Sequence, residues 1–431
     1  MSNKKKHIEL NFAGDKSISH RAAIFSALAK GESHITNYLG AEDTLNTLYA
    51  MEKSGALFEK IQNGSYKVTS PGITALKINN SHMDMGNSGT GSRLLLGLFS
   101  GLPDATVTID GDSSLRKRPM ARVTTPLVSF GAQFEPLDKL PIKVSGTTLL
   151  PVIHSEEIGS AQVKSALILA ALASQVPLRI EEKIPSRDHT ENMLAYAGIL
   201  INKEENGNGG FIIEMEPPYI LNPVTYNIWG DISSASFFVV LGLLMKEGEL
   251  VLKNVLLNPY RDRYLHLLIE MGGNIEIIPG KSECGEKGGD IIVRPSKLKG
   301  ITLKAEDIPS VIDELPVLTI AGLFAEGVFE FRNAKELRFK ESDRITSMVN
   351  NLKACNVNIE EFNDGLRVEG NADMILQGNI ESFMDHRIAM SFEIANKISM
   401  QNGASERLKI SGAEWIKTSF PDFYDKLNLV S

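Results

Sequence analysis

Cations, hydroxyl groups and carboxylates recur immediately before strongly apolar stretches of this sequence. Residues 86–93 combine small residues with an arginine, and the apolar run 94–99 follows them directly. A helix start carries unpaired N–H groups and a partial positive charge, so such a loop is suited to bind an anion. It is not a P-loop, because the ending of a lysine followed by a hydroxyl residue is missing. A glycine-rich helix start without a ligand is the alternative interpretation.

The same arrangement occurs six times. Asp231 and Asp385, taken singly, are interpreted as helix caps, and Arg93 and Lys164 as partly buried ion-pair partners. As a set the six starts indicate function, because desolvated charges are costly unless they are paired or used. The polar residues at these starts are Lys16, Ser17 and Arg21; Asn87, Gly89 and Arg93; Ser160, Gln162 and Lys164; Asp231, Ser233 and Ser234; Asp313 and Glu314; and Asp385, His386 and Arg387.

Further basic residues lie between the starts, at 116–118, at Arg187 and within 338–344. Arginine can bind a carboxylate or a phosphate through two parallel hydrogen bonds, and lysine offers a compact charge. Several converging cations predict substrates that carry more than one anionic group, namely phosphates and carboxylates.

Each polar start opens one unit of a repeat of roughly 70 residues, longer than the usual solenoid unit. A unit contains an apolar helix, a short strand and an amphipathic helix, which predicts a repeated α/β fold. Because a helix that is apolar all round must be buried, we expect these helices inside the domains. The predicted apolar helices are 22–29, 94–99, 166–173, 235–245, 317–324 and 388–394. The amphipathic helices are 43–55, 118–130, 190–196, 263–271, 343–352 and 422–427. The strands are 33–36, 106–109, 178–180, 250–252, 328–331 and 408–410, and the loop tips are 206–210 and 285–289.

Composition limits the class of protein. The 431 residues predict two or three domains, and the net charge of −8 disfavours a nucleic-acid surface. The apolar runs fall short of the ~18 residues of a membrane span, and residues 1–10 do not form a signal peptide. Cys284 and Cys355 show neither pairing nor metal spacing, which indicates a reducing compartment. We expect a cytoplasmic protein without membrane or nucleic-acid partners.

Taken together and in order, the polar blocks closely resemble those of the 5-enolpyruvylshikimate-3-phosphate synthase (EPSP synthase) family over nearly the whole chain. The blocks are residues 14–21, 86–93, 115–120, 160–166, 186–191, 230–235, 313–316, 340–344 and 385–390.

The resemblance implies an α/β fold, a two-domain inside-out α/β barrel of six repeats, with three in each domain. The N-terminal domain would cover residues 14–229, and the C-terminal domain residues 1–13 plus 230–431. Hinge crossovers near 13–14 and 229–230 would let the domains close over the substrates. The implied enzyme is a monomer without metal or cofactor.

The implied reaction transfers the enolpyruvyl group of phosphoenolpyruvate (PEP) to the 5-hydroxyl of shikimate 3-phosphate. It gives EPSP and phosphate through a tetrahedral addition–elimination intermediate, on the route to chorismate and the aromatic amino acids. The implied catalytic residues are Asp313 as base, Glu341 as acid, Lys16 for charge stabilisation, and His386 with a catalytic or an orienting role. Shikimate 3-phosphate would be held by Lys16, Ser17, Arg21, Ser160, Ala161, Gln162, Arg187, Asp313 and Lys340. PEP would be held by Lys16, Gly89, Arg118, Gln162, Arg344, Arg387 and Lys417.

Two alternatives stay open. The related enzymes that transfer enolpyruvyl to a UDP-amino sugar usually carry a cysteine before the Arg-Pro pair, and residues 111–117 contain none. A repeat scaffold that binds a phosphorylated metabolite without turnover would have little use for Asp313 and Glu341, since carboxylates repel an anion. In the resembled family the PEP mimic glyphosate binds beside the glycine matched by Gly89, so we expect a glyphosate-sensitive enzyme.

Overall fold

The computed structural model describes residues 7–430, which divide into two compact units. The N-terminal unit comprises Ala13–Ile228 and Ser282–Glu286, and the C-terminal unit comprises residues 7–12, Trp229–Lys281 and 287–430. Residues 1–6 and 431, which the sequence assigns to the C-terminal domain, lie outside the described residues.

Most helices of residues 7–430 begin at or near a polar block. The helices are α1 (Lys16–Leu28), α2 (Glu42–Lys53), α3 (Gly89–Ser100), α4 (Ala121–Val128), α5 (Ala161–Ser174), α6 (His189–Tyr196), α7 (Ile232–Leu244), α8 (Arg263–Glu270), α9 (Ile308–Val311), α10 (Leu315–Leu323), α11 (Arg344–Ala354), α12 (His386–Gln401) and α13 (Phe423–Leu429).

The strands of the same residues are short. They are β1 (His7–Asn11), β2 (Gly31–Thr36), β3 (Leu57–Gln62), β4 (Ser65–Ser70), β5 (Ser81–Asp84), β6 (Thr106–Asp110), β7 (Gln133–Glu135), β8 (Ile142–Ser145), β9 (Val152–Glu156), β10 (Leu178–Glu182), β11 (Asn202–Glu205), β12 (Phe211–Met215), β13 (Thr225–Asn227), β14 (Glu249–Leu256), β15 (Asn274–Glu283), β16 (Glu286–Arg294), β17 (Gly327–Phe331), β18 (Ile359–Phe362), β19 (Gly365–Gly370), β20 (Asn379–Glu381) and β21 (Lys409–Ser411).

The N-terminal unit contains three four-stranded sheets with one shared pattern. Their orders are β13-β2-β4-β3, β5-β6-β8-β7 and β9-β10-β12-β11. In each sheet the first two strands run parallel, and the remaining pairs are antiparallel. Three sheets of the same pattern are what a repeated α/β unit requires, although β13, which completes the first sheet, comes from the end of the unit.

The apolar helices of this unit form its core. Every residue from Ile18 to Leu28 in α1 is buried, and α3 and α5 are buried almost throughout. Gly97 lets α3 approach α5 closely, because a Cβ at this position would lie 2.3 Å from the carbonyl oxygen of Ala166. The prediction of apolar helices inside the domain is confirmed for this unit.

The C-terminal unit repeats the design less regularly. Its sheet β1-β14-β16-β15 has the same parallel first pair, whereas β17-β19-β18 has three strands and β20-β21 has two. All of α10 and nearly all of α7 are buried. Phe238 contacts Phe12 and Phe420 at ring-centroid distances of 5.7 and 6.0 Å, so the N-terminal strand segment is fixed to this unit by aromatic packing.

Three local predictions need correction. The helix expected at 118–130 begins only at Ala121, because Pro119 forces Arg118 into an extended conformation. The loop tip expected at 285–289 is shorter, and Gly289 lies within β16. Each repeat was expected to have one strand, but most contain an additional hairpin, such as β3 with β4.

Within residues 7–430, every helix is too short or too polar to cross a lipid bilayer.

Candidate active site

The start of α1 places a lysine and a hydroxyl group at a capped helix end. Asp15 caps the helix by accepting a hydrogen bond from the backbone N–H of Ile18 at 3.0 Å. Lys16, the first helical residue, forms an ion pair with Asp43 of α2. Lys16 and Ser17 remain partly accessible at this helix start. The ion pair fixes the lysine where the helix dipole also attracts an anion.

Arg21 lies one turn further along α1 and joins three elements. Its Nε donates to Thr190 Oγ1 and its Nη2 to Ser165 Oγ, both at 2.7 Å. Its Nη1 donates to the carbonyl oxygen of Ser17 at 3.0 Å. Burial lowers the pKa of Arg21 to about 10, although the charge of Glu191 opposes this change. These bonds give Arg21 a structural task in addition to the predicted substrate contact.

A second buried cation, Lys164 of α5, supports the loop that precedes α6. Its Nζ lies 2.7 Å from Glu191 and 3.0 Å from Glu182, and its side chain is fully buried. Burial would lower the pKa of Lys164, but these two carboxylates outweigh burial and raise it. Ser186, which precedes Arg187, donates a hydrogen bond to Glu182 and so connects this loop to the Lys164 ion pairs.

Two arginine side chains lie close to Gly89, the first residue of α3. Ser88 caps the helix by accepting from Gly91 N at 3.1 Å. A Cβ placed on Gly89 would lie 3.1 Å from Nη1 of Arg118 and 3.2 Å from Nη1 of Arg93. Arg118 in turn donates to the side-chain oxygen of Asn87. A small anion at this helix start would meet two guanidinium groups.

Gln162 connects the start of α5 to this group. Its Oε1 accepts from Arg93 Nη1 at 2.9 Å, and its Nε2 donates to Thr90 Oγ1 at 3.1 Å. Ser160 caps α5, and its hydroxyl oxygen is 3.5 Å from the N–H of Val163. The first turn of α5 is therefore fixed against the first turn of α3.

In the C-terminal unit, Arg344 at the start of α11 is surrounded by carboxylates. It is 2% exposed. Its Nη2 lies 2.6 Å from Glu341, its Nε 2.8 Å from Asp385, and its Nη1 3.5 Å from Asp313. Burial would lower the pKa of Arg344, but Asp385, Glu341 and Asp313 together raise it. The guanidinium group remains charged and brings both predicted proton-transfer carboxylates to one centre.

Asp385 caps α12 and is the fully buried member of this group. It accepts from the backbone N–H of Arg387 at 2.9 Å and from Ser342 Oγ at 3.1 Å. Burial alone would raise the pKa of Asp385, but the Arg344 guanidinium lowers it below its usual range. Asp385 therefore stays ionised. His386 follows it in the first turn of α12 and is buried.

Asp313 lies among three cations of the same unit. One carboxylate oxygen of Asp313 lies 3.4 Å from Lys340 Nζ and 3.5 Å from Arg344. Its carbonyl oxygen accepts from Arg387 Nη1 at 2.9 Å. Lys340, Arg344 and Arg387 thus all contact Asp313, which places three predicted substrate-binding cations around one predicted base.

Lys417 takes no part in the hydrogen bonds and ion pairs described above. It is exposed on a short 3₁₀ helix, Ala413–Thr418. Ala161 is the first residue of α5, and Arg187 is partly exposed in the loop before α6. The sequence signalled Lys164 as an ion-pair partner, but it did not mark Asp43, in the first turn of α2, as the partner of Lys16, or Glu182, at the end of β10, as a partner of Lys164.

Comparison with known proteins identifies the family. The sequence profile of EPSP synthase (3-phosphoshikimate 1-carboxyvinyltransferase) matches residues 3–427. The chain belongs to the EPSP synthase family. A 3-phosphoshikimate 1-carboxyvinyltransferase of Leptospira interrogans is 45% identical over 97% of this chain and 96% of its own length.

Solved structures agree with the EPSP synthase assignment. The structure of EPSP synthase from Acinetobacter baumannii has a TM-score of 0.85 and 36% identity, and covers 100% of this chain and 97% of that chain. The enolpyruvyl transferase NikO from Streptomyces tendae has a TM-score of 0.73 at 15% identity, covering 99% of this chain and 95% of that chain, and supports the fold alone. The predicted enolpyruvyl transferase fold is confirmed.

Proposed function

We propose that this protein transfers the enolpyruvyl group of PEP to the 5-hydroxyl of shikimate 3-phosphate, with release of phosphate. The observation that carries the proposal is the arrangement around Arg344, whose Nη1 lies 3.5 Å from Asp313 and whose Nη2 lies 2.6 Å from Glu341, while Lys340 also lies 3.4 Å from Asp313. Two carboxylates in different environments can divide the work of base and acid. Membership of the EPSP synthase family supplies the substrates.

Shikimate 3-phosphate is assigned to the starts of α1 and α5, to the loop before α6, and to Asp313 with Lys340. The hydroxyl and cationic groups at these starts suit a phosphate, because the N–H groups and dipole of each helix add to the side-chain charges. The assigned residues are Lys16, Ser17, Arg21, Ser160, Ala161, Gln162, Arg187, Asp313 and Lys340.

PEP is assigned to the cations that surround Gly89 and to those of the C-terminal unit. PEP carries a phosphate and a carboxylate, and arginine binds either group through paired hydrogen bonds. Because Arg344 already pairs with Glu341 at 2.6 Å, an incoming carboxylate competes with Glu341 for that guanidinium. The assigned residues are Lys16, Gly89, Arg118, Gln162, Arg344, Arg387 and Lys417.

The chemistry requires one proton to leave the attacking hydroxyl and one to reach the methylene carbon of PEP. Asp313 takes the hydroxyl proton as the oxygen attacks C2 of PEP, and Glu341 gives a proton to C3. In the tetrahedral adduct, the ionised Glu341 takes back a proton from C3 as the C2–O bond to phosphate breaks, which restores the double bond. The proton held by Asp313 leaves with the phosphate, so both carboxylates return to their starting states. Each acid or base role contributes about 10²–10⁴-fold in rate. Lys16 stabilises developing negative charge, and His386 orients its neighbours or assists proton transfer.

A comparison of two acceptors tests this function. Phosphate release from PEP should require shikimate 3-phosphate and should be absent when a UDP-amino sugar replaces it. Release with the UDP-amino sugar alone would assign the protein to the other enolpyruvyl transfer reaction. Binding of shikimate 3-phosphate without any phosphate release would indicate a non-catalytic binding protein.

We extend the proposal to a monomer that works in the cytoplasm. Both cysteines are buried thiols, and burial raises the pKa of Cys284 to about 12, so this thiol stays protonated. A reducing compartment suits such residues. Light scattering after size-exclusion chromatography should give the mass of one chain, and twice that mass would contradict the monomer.

A further inference from the structure

Glu314 is a buried carboxylate to which the reaction above gives no task. It is 1% exposed and stands at the N-cap position of α10. Its side chain makes no capping hydrogen bond there. Pro316, the second helical residue, has no N–H that a cap could bind. Helix capping therefore does not explain why a carboxylate is buried at this position.

The carboxylate instead contacts the starts of two other helices. Its Oε1 accepts a hydrogen bond from the hydroxyl of Ser233 in the first turn of α7. The same oxygen lies 3.6 Å from Nη1 of Arg387 in the first turn of α12. That nitrogen also donates to the carbonyl oxygen of Asp313 at 2.9 Å. Nη1 of Arg387 is thus contacted by two adjacent residues, through the backbone carbonyl oxygen of Asp313 and the side-chain carboxylate of Glu314.

The carboxylate end of this contact is buried, whereas the Arg387 side chain keeps 14% of its surface exposed. Ser233 is 3% exposed and Tyr264 is fully buried. Burial raises the pKa of Tyr264 well above its usual 10, and the charge of Glu314 raises it further. The phenol stays neutral and donates to the carbonyl oxygen of Ile232 at 3.0 Å. An ion pair in such a site is screened less than one at the surface.

We infer that Glu314 is a positioning residue for Arg387 and determines the affinity for PEP rather than for shikimate 3-phosphate. The inference rests on the proposed function, which assigns Arg387 to PEP. An arginine whose guanidinium is already fixed loses less side-chain freedom when it binds an anion. Ser233 contributes indirectly. Its hydroxyl donates to the Glu314 carboxylate, and this carboxylate in turn contacts Arg387.

The test compares Glu314→Gln with the unaltered protein. Glutamine keeps the size of the side chain and an oxygen that can accept from Ser233, but it removes the charge. The KM for PEP should rise at least about tenfold, while the KM for shikimate 3-phosphate and kcat stay within about threefold. Ser233→Ala should shift the same constant in the same direction by a smaller factor, and it decides the question if Glu314→Gln does not fold.

Asp307→Asn is the matched control. Asp307 is also buried and pairs with an arginine of the same unit, since its Oδ1 lies 2.7 Å from Nε of Arg263. This variant should leave both KM values within about twofold. Two results for Glu314→Gln would overturn the inference: an equal rise in the KM values for PEP and shikimate 3-phosphate, or no rise in the KM for PEP.

Calorimetric titration with PEP in the presence of shikimate 3-phosphate separates this inference from the proposed function. Absence of turnover by the unaltered protein would contradict the function. The ratio of PEP dissociation constants between variant and unaltered protein still decides the role of Glu314. A ratio close to one, or no PEP binding by either protein, would overturn that role.

Discussion

The Cβ position of Gly89 lies 3.1 Å from Nη1 of Arg118, closer than an ordinary van der Waals contact. A methyl group there would also meet Nη1 of Arg93 at 3.2 Å. Both contacts are to the ends of flexible side chains, so the helix start can accept alanine after shifts of a few tenths of an ångström. Such shifts leave the fold intact. They reduce the space open to a small anion at this helix start and move the two guanidinium groups that it would contact.

Gly89→Ala should therefore reduce inhibition by glyphosate. We expect the inhibitory concentration to rise at least about tenfold, because the methyl group would take space beside the two guanidinium groups that a small anion meets at this helix start. Inhibition curves at fixed PEP concentration measure the change. Gly40→Ala is the control, since a Cβ at that glycine meets no atom within 4 Å. Equal sensitivity of Gly89→Ala and the control would contradict the placement of PEP at this loop.

Asp313→Asn and Glu341→Gln should each lower kcat by at least about 10²-fold, because each removes a proton acceptor or donor of the reaction. Both substitutions keep the size of the side chain, so binding of shikimate 3-phosphate should persist. Single-turnover measurements and calorimetry separate the two effects. Asp364→Asn, which alters an exposed contact with Arg332, should leave kcat unchanged. A near-normal kcat in either catalytic variant would remove that residue from its role.

Lys164→Met should lower the free energy of unfolding by about 3–5 kcal/mol, because Glu182 and Glu191 would remain buried without their cation. Denaturant unfolding measures this loss. The double variant Lys164→Met with Glu191→Gln restores the charge balance and should lose less than the sum of the two single variants. Additive losses would show that the three charges do not act as one group.

His20 should make stability depend on pH below neutrality. Burial, followed by the charges of Lys16 and Arg21, lowers the pKa of His20 well below 6.5. The folded state keeps this ring neutral while the unfolded state takes up a proton below pH 6.5, so the unfolded state gains protons and stability falls as pH falls. The loss attributable to this one group approaches about 1.4 kcal/mol per pH unit.

His20→Gln provides the measurement. The variant loses the bond between Nδ1 and Thr47 Oγ1, which is 2.8 Å long, so it should be less stable at pH 8. The stability difference from the unaltered protein should narrow as the pH falls from about 6.5 to about 5, since the variant lacks the titrating ring. A difference that stays constant over this range would contradict a buried, neutral His20.

The helix starts and apolar helices could be predicted from the sequence because they depend on local order. Asp231 and Asp385 cap α7 and α12 as expected, through the N–H groups of Ser234 and Arg387. Lys164 is the ion-pair partner that its position indicated. In each case the signal was a polar residue beside a fully apolar run.

Features that depend on distant residues could not be predicted. The partners of Lys164 lie 18 and 27 positions along the chain, and nothing local marks Glu182 or Glu191 as its neighbours. Strand β3 was missed because only one of its six residues is buried, so it lacks the alternation that identifies a half-buried strand. Glu314 was recognised as a polar helix start, but its contact with Arg387 becomes visible only when α10 and α12 are placed.

The central claim is that this chain joins the enolpyruvyl group of PEP to shikimate 3-phosphate. Phosphorus NMR of the purified protein with both compounds tests it most directly, because the signals of PEP, free phosphate and the acceptor's phosphate are followed in one sample. We predict that PEP is consumed, that free phosphate appears in equal amount, and that the acceptor becomes its enolpyruvyl ether. Loss of PEP without a change in shikimate 3-phosphate, or persistence of both compounds, would contradict the account.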